Sequence, residues 1–382
     1  MKRGLLLINL GTPNSTNITD INHYLREFLT DKRVIDIPTI LRYLLVYGLI
    51  VPFRSKKSAH AYKLIWTEQG SPLLFHSQNL VRELQKLIGS QFKVAIGMRY
   101  GNPSIAQAIY DLKECDTITV LPLYPQYSSA ATGSSFEEVM RIISAQEIIP
   151  SVHLIRDFYN HPDYISSQAQ QLKSYFNNPD HLLFSYHGIP ERQLRKSGCD
   201  TICSEICTPI SMNNRPLAKL AVAREEGGDT GHRTGVYTQS HEDSSTVSTK
   251  QLPTTTELGK RSNQACYRAQ CYQTSFLLAQ ELKLLPNQYS TAFQSRLGKI
   301  PWIKPYTDEV LVELANKGVK HLAVVCPSFT ADCLETLEEI GIRAKEQWHQ
   351  LGGEQFTLVP SLNSNEHWVK AIGNIVNTQE KY

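Results

Sequence analysis

The chain has 382 residues, 41% of them apolar, with 39 basic against 36 acidic side chains and a formal net charge of +3. That length exceeds the usual single domain, and the apolar share can bury a substantial core, so two folded domains are expected and a disordered chain is excluded. A charge so evenly balanced supplies no field to gather nucleic acid, and no nucleic-acid partner is expected.

The chain opens on a basic tip, Met1 to Arg3, followed by the apolar run 5–10. The run is short for an export signal, is broken by Asn9 and Gly11, and leads to no small-residue cleavage site, so it is expected to form a buried first strand. Segment 38–53 is the longest apolar stretch, yet Arg42 and Gly48 interrupt it and prolines bound it. A membrane-spanning helix needs roughly 20 continuous apolar residues, so this segment is expected to lie at a surface, as a lip over residues 38–54.

Strand-like runs occur at 5–9, 93–98, 117–123, 152–156, 182–186, 290–294, 321–326 and 356–359. Helical patterns lie among them at 79–87, 134–145, 164–176, 274–284, 308–317 and 334–350. Continuous apolar strands separated by amphipathic helices predict α/β architecture: two doubly wound, Rossmann-like domains with parallel sheets flanked by helices. A divide near residue 165 gives an N-terminal domain 1–165 and a C-terminal domain 166–382, with the active-site crevice between them at the strand C-termini. Residues 208–263, rich in Ser, Thr, Gly, Asn and charge, keep no period and are expected to be a disordered insertion.

Two segments carry chemistry. His187 follows the buried-strand run Leu182-Leu183-Phe184-Ser185-Tyr186 and precedes Gly188-Ile189-Pro190, which places an imidazole at a strand mouth. There it can take a proton near neutral pH or offer a lone pair to a metal. Strand passes into helix again at Val324-Val325-Cys326-Pro327-Ser328-Phe329-Thr330-Ala331-Asp332-Cys333-Leu334-Glu335, and Glu335 and Glu339 share one helical face. A nitrogen base and carboxylates suit a borderline divalent metal and equally suit paired proton transfer. No Gly-rich phosphate loop of the Walker type occurs, so no nucleotide is implied.

Six ordered blocks then take on a specific likeness. They are Leu7-Ile8-Asn9-Leu10-Gly11-Thr12-Pro13, Gly97-Met98-Arg99-Tyr100-Gly101-Asn102-Pro103, Leu121-Pro122-Leu123-Tyr124-Pro125-Gln126-Tyr127-Ser128, Ser185-Tyr186-His187-Gly188-Ile189-Pro190, Phe293-Gln294-Ser295-Arg296-Leu297-Gly298-Lys299-Ile300-Pro301-Trp302 and Asp332-Cys333-Leu334-Glu335-Thr336-Leu337. In this order, over nearly the whole chain outside the insertion, they resemble the ferrochelatase family. The resemblance implies a lyase that inserts ferrous iron, its substrate metal, into protoporphyrin IX to give haem and two protons, the last step of haem biosynthesis. On the family pattern His187 and Glu335 are the catalytic and metal-handling pair. Leu10, Met98, Ile189, Trp302 and segment 43–53 would wall an apolar slot for the macrocycle, and Arg99, Tyr124 and Ser128 would meet its propionates.

The cysteines extend the likeness. Cys199, Cys203, Cys207, Cys266 and Cys271 flank the insertion, while Cys115, Cys326 and Cys333 lie in strand or helix contexts as ordinary buried thiols. The first group resembles the internal cysteine segment of bacterial ferrochelatases that carry a [2Fe-2S] cluster, with Cys203, Cys207, Cys266 and Cys271 as ligands and Cys199 as the fifth. An animal-type cluster is excluded, because Ser129 stands where those enzymes have a cysteine and none follows Cys333. A structural zinc and unligated thiols are the alternatives for these residues. For the whole chain, the alternatives are a chelatase for another metal or for coproporphyrin, and a non-catalytic tetrapyrrole carrier. The expected setting is the cytoplasm, with at most peripheral contact at the inner membrane face through the lip and Arg42, Arg54, Lys56 and Lys57.

Overall fold

The computed structural model describes residues 2–175, 179–199, 266–298 and 300–379. The predicted insertion 208–263, Cys203 and Cys207 lie outside the described residues. The frame is a pair of four-stranded sheets, parallel throughout. The first contains β1 (Arg3–Thr12), β2 (Phe92–Gly101), β3 (Thr117–Pro122) and β4 (Ser151–Leu154), in the order β2-β1-β3-β4. The second contains β5 (His181–His187), β6 (Tyr289–Gln294), β7 (His321–Val325) and β8 (Gln355–Leu358), in the order β6-β5-β7-β8. Every strand expected from the apolar runs is present.

Strand burial explains the sequence pattern. Leu5 and Leu7 of β1 face one apolar core, while Leu6 and Ile8 face another with Ile105, Ile109 and Val139. With both faces covered, a strand has no place for alternating polar residues. The core behind Leu5 and Leu7 is continuous with Leu182, Phe184 and Tyr186 of β5, so one apolar interior joins the two sheets. Helix Glu366–Gln379 supplies Trp368, Ile372 and Ile375 to that interior and packs against helices Pro72–Ile88 and Pro162–Tyr175.

Both sheets change direction at their first strand. Later strands lie on either side of β1 and on either side of β5, which opens a crevice at the strand C-termini. The chain leaves β5 at His187, and leaves β7 into the segment that reaches Glu335. Both chemical segments therefore start at the switch point of the second sheet.

Segment 38–54 is helical. Thr39–Leu45, a wider π-helical turn Val46–Ile50 and Val51–Ile65 follow one another without a break. Ile40, Leu41, Leu44, Leu49 and Phe53 are each more than half exposed on it, as a surface lip requires. Arg42 departs from the expectation: it is buried, and its guanidinium donates to Ile35 O, Ile37 O and Thr39 Oγ1. It therefore satisfies carbonyls ahead of the helix and is not available to an anionic surface.

Candidate active site

His187 is the last residue of β5, and period-two alternation puts it on the same face as Leu183 and Ser185. Its backbone is fixed at each polar atom. The amide donates to Ser328 Oγ at 3.2 Å, and the carbonyl accepts from Tyr267 Oη at 2.7 Å. The ring lies 6.3 Å, centroid to centroid, from both Trp302 and Phe329. Nδ1 stands 2.6 Å from Gly188 O. A carbonyl can only accept, so Nδ1 carries a proton, and in the neutral ring the lone pair rests on Nε2.

Glu335 opens the helical segment Glu335–Ala344, which is π-helical rather than α-helical as its spacing suggested. The wider i→i+5 turn leaves residues four apart nearly stacked, so Glu335 and Glu339 still share a side, and such bulges recur at functional sites. Its start is anchored by Asp332, whose carboxylate accepts from Ser361 N, Thr336 Oγ1 and Asn363 Nδ2. Glu335 O accepts from Gln294 Nε2 at 2.9 Å. Around the Glu335 side chain are Tyr24, Tyr62 and Cys333. Burial chiefly, with the Glu335 charge added, pushes the Tyr62 phenol and the Cys333 thiol up, so both stay protonated beside the carboxylate.

Gln294 and Ser295, at the end of β6, connect these parts. Gln294 O accepts from Gly188 N at 2.8 Å, and its Oε1 accepts from Ser185 Oγ at 2.6 Å. Ser295 N and Oγ both donate to the Glu339 carboxylate, at 2.8 and 2.5 Å. Ser295 sits at φ +66°, a left-handed conformation uncommon outside glycine, which its paired bonds to Glu339 help to hold. On the outer side of this pair a cavity of about 230 Å³ is lined by Ser295, Arg296, Asp308, Glu339, Arg343 and Gln347.

The expected slot residues divide into groups. Ile189, 8% exposed, and the partly exposed Trp302 adjoin His187, with Ile303 N donating to Ile189 O at 3.0 Å. Leu10 is partly buried against the Tyr24 and Tyr62 core, and Met98 is almost wholly buried in β2. Arg99 pairs with Asp31 at 2.7 Å and donates from Nε to Ser134 Oγ at 2.7 Å. Tyr124 is enclosed, which pushes its phenol up, with Ser135 beside its hydroxyl. Ser128 Oγ accepts from Ala131 N, capping the turn Ser129–Gly133. Sequence reasoning missed Asp31, Gln294 as a connector, Ser295 and Tyr267. The quoted block Phe293 to Trp302 contained the middle two, but no local pattern disclosed their partners.

Cys266 and Cys271 are both buried at the start of helix Tyr267–Glu281, and each charge would be felt by the other. Burial pushes the Cys271 thiol well up. Among the described residues no three His, Cys, Asp or Glu side chains gather to hold a metal.

The ferrochelatase family model matches residues 2–380. The chain belongs to the ferrochelatase family. A ferrochelatase of Legionella pneumophila (strain Philadelphia 1) is 57% identical over 379 residues, covering 99% of this chain and 100% of that protein. A ferrochelatase of Coxiella burnetii (strain Dugway 5J108-111) is 44% identical over 381 residues, covering 98% of this chain and 93% of that one. Among solved structures, SirB from Bacillus subtilis with Fe3+ aligns at a TM-score of 0.48 and 12% identity, covering 99% of this chain and 96% of its own. The chain is thus an enzyme, a porphyrin metal chelatase that inserts iron into protoporphyrin in haem biosynthesis.

Proposed function

We propose that His187 and Glu335 are the catalytic pair of this insertion and face the metal across the porphyrin slot. Protoporphyrin IX must lose two pyrrole protons as ferrous iron enters, giving haem and two protons. The observation that carries the assignment is the Nδ1 to Gly188 O distance of 2.6 Å, which leaves the His187 Nε2 lone pair as the free basic site. One lone pair cannot take a proton and bind iron together, so the two roles of His187 are sequential or alternative. Glu335 supplies a second acceptor, and Glu339 continues a path toward the outer cavity. Leu10, Ile189 and Trp302 would wall the slot with Met98 buried behind them, and Arg99, Tyr124 and Ser128, engaged here by Asp31, by enclosure and by Ala131 N, would serve its propionate side. Anaerobic loss of protoporphyrin fluorescence with Fe(II) tests the pair: wild type is expected to lose signal rapidly and His187→Ala slowly. Equal slow rates for the two would end this reading.

Two finer readings accompany it. The exposed apolar lip, with Arg54, Lys56 and Lys57 exposed beside it, supports peripheral contact with an anionic membrane surface. No helix among the described residues is long and apolar enough to cross a membrane. Cys203, Cys207, Cys266 and Cys271 would hold a [2Fe-2S] cluster, and the two buried thiols Cys266 and Cys271 fit such a donor set. Bound there, the cluster would supply a redox-sensitive cross-link to helix Tyr267–Glu281. Protein purified without oxygen should then contain iron and labile sulfide in equal amounts, and colourless protein free of sulfide would remove the cluster.

A further inference from the structure

The His187–Gly188 peptide is gripped on both sides. Gly188 N donates to Gln294 O at 2.8 Å, and the His187 carbonyl accepts from Tyr267 Oη at 2.7 Å. Tyr267 lies 80 residues from His187 in sequence, and only the packing of helix Tyr267–Glu281 brings it there. The residue is 6% exposed, and its helix is fixed by Gln270 Oε1 accepting from Tyr127 N and by Thr274 Oγ1 donating to Tyr159 O. A carbonyl oxygen can only accept, so the Tyr267 hydroxyl is the donor of this bond.

This arrangement bears on the direction of the imidazole. Nδ1–H is committed to Gly188 O, on the next peptide, so the ring is joined at both ends to the peptide that Tyr267 and Gln294 grip: through its own Cα and through Gly188. A free peptide at a strand end would rock about its flanking dihedrals and carry Nε2 with it. We infer that Tyr267 is a positioning residue for His187: its hydroxyl fixes the His187–Gly188 peptide and so directs Nε2. The inference rests on the proposed role of His187. Tyr267 touches no reacting atom, and its removal should leave porphyrin binding intact.

The test is Tyr267→Phe, which deletes one oxygen and keeps the ring that fills the core. Anaerobic Fe(II) insertion is measured for wild type, Tyr267→Phe and His187→Ala, with kcat normalised to the fraction of each protein that binds protoporphyrin. Tyr267→Phe is expected to lower normalised kcat about tenfold and to leave KM for protoporphyrin within about twofold. Loss of packing alone would reduce the binding fraction and leave normalised kcat unchanged, an outcome that overturns the inference. A rise in KM matching the fall in kcat would also overturn it, by making Tyr267 part of porphyrin binding. Should His187→Ala turn over as wild type does, the role of His187 is what fails and the inference falls with it. An inactive His187→Ala beside a fully active Tyr267→Phe would refute the positioning role alone.

Discussion

Replacing Gly188 by alanine adds one methyl group at the most constrained point of the site. The new Cβ would stand 2.9 Å from Gln294 O and 3.3 Å from Trp302 Cε3. Unbonded carbon and oxygen settle near about 3.5 Å, so the two backbones must part by roughly half an ångström. Gln294 O cannot simply withdraw, because it accepts from Gly188 N at 2.8 Å, and the same residue's Nε2 holds Glu335 O at 2.9 Å. The strain is therefore passed to both proposed catalytic residues. Overpacking of this kind costs about 1–3 kcal/mol, and a misplacement near 1 Å can cost about a hundredfold in rate. Half that displacement corresponds to about a tenfold fall in kcat, or roughly 1.4 kcal/mol of barrier. The assay is anaerobic Fe(II) insertion followed by porphyrin fluorescence, with thermal melting and porphyrin titration on the same preparation. Gly188→Ala should melt a few degrees lower, bind porphyrin nearly as wild type, and turn over about tenfold more slowly. Wild-type kcat with an unchanged melting temperature would refute the claim that Gln294 couples the two halves of the site.

Further outcomes follow from the charges and the lip. Burial chiefly lowers the His181 pKa from 6.5 to about 4, so below pH 6.5 the unfolded chain takes up the proton more readily. Stability should fall as pH drops from 6.5 to about 4, and His181→Asn should flatten that limb in denaturant titrations; an unaltered limb would contradict it. The Asp31 side chain is buried, which alone would raise its pKa, but bonds from Ser134 and Arg33 N, the Arg99 charge and a bond from Tyr100 outweigh burial and lower it. Its stabilisation is present above the ordinary carboxylate range and lost as pH falls through the depressed folded value. Asp31→Asn leaves Arg99 largely buried without its counter-charge and should cost about 3–5 kcal/mol, so wild-type melting would refute the pairing. Leu44→Glu with Phe53→Glu puts charge on the two lip positions exposed at 66% and 78%, and should abolish co-sedimentation with anionic vesicles if the lip is the contact. Retained sedimentation would place membrane contact elsewhere.

The sheets were legible because each strand is buried on both faces, which turns strand into a short continuous apolar run such as Leu182 to Tyr186. His187 and Glu335 were legible because each follows such a run at a switch point. What joins them was not. Gln294 reaches Glu335 across 41 residues and Tyr267 reaches His187 across 80, and hydrogen bonds between side chain and distant backbone leave no periodic trace. Arg42 misled for a related reason. A charged residue within an apolar helix usually marks the exposed face, yet here Nη1 of the guanidinium satisfies two carbonyls that burial would otherwise strand. The π-helical start at Glu335 was equally hidden, since α- and π-turns place residues four apart on nearly the same side.

The central claim is that His187 and Glu335, facing each other across the porphyrin slot, together remove protons and handle the incoming iron. Glu335→Gln tests it most directly, since it keeps the side chain's size and removes only its charge and basicity. Single-turnover mixing of porphyrin-loaded protein with Fe(II) under anaerobic conditions should show porphyrin bound as in wild type and metal insertion slowed by about a hundredfold or more. Insertion at the wild-type rate would contradict the account.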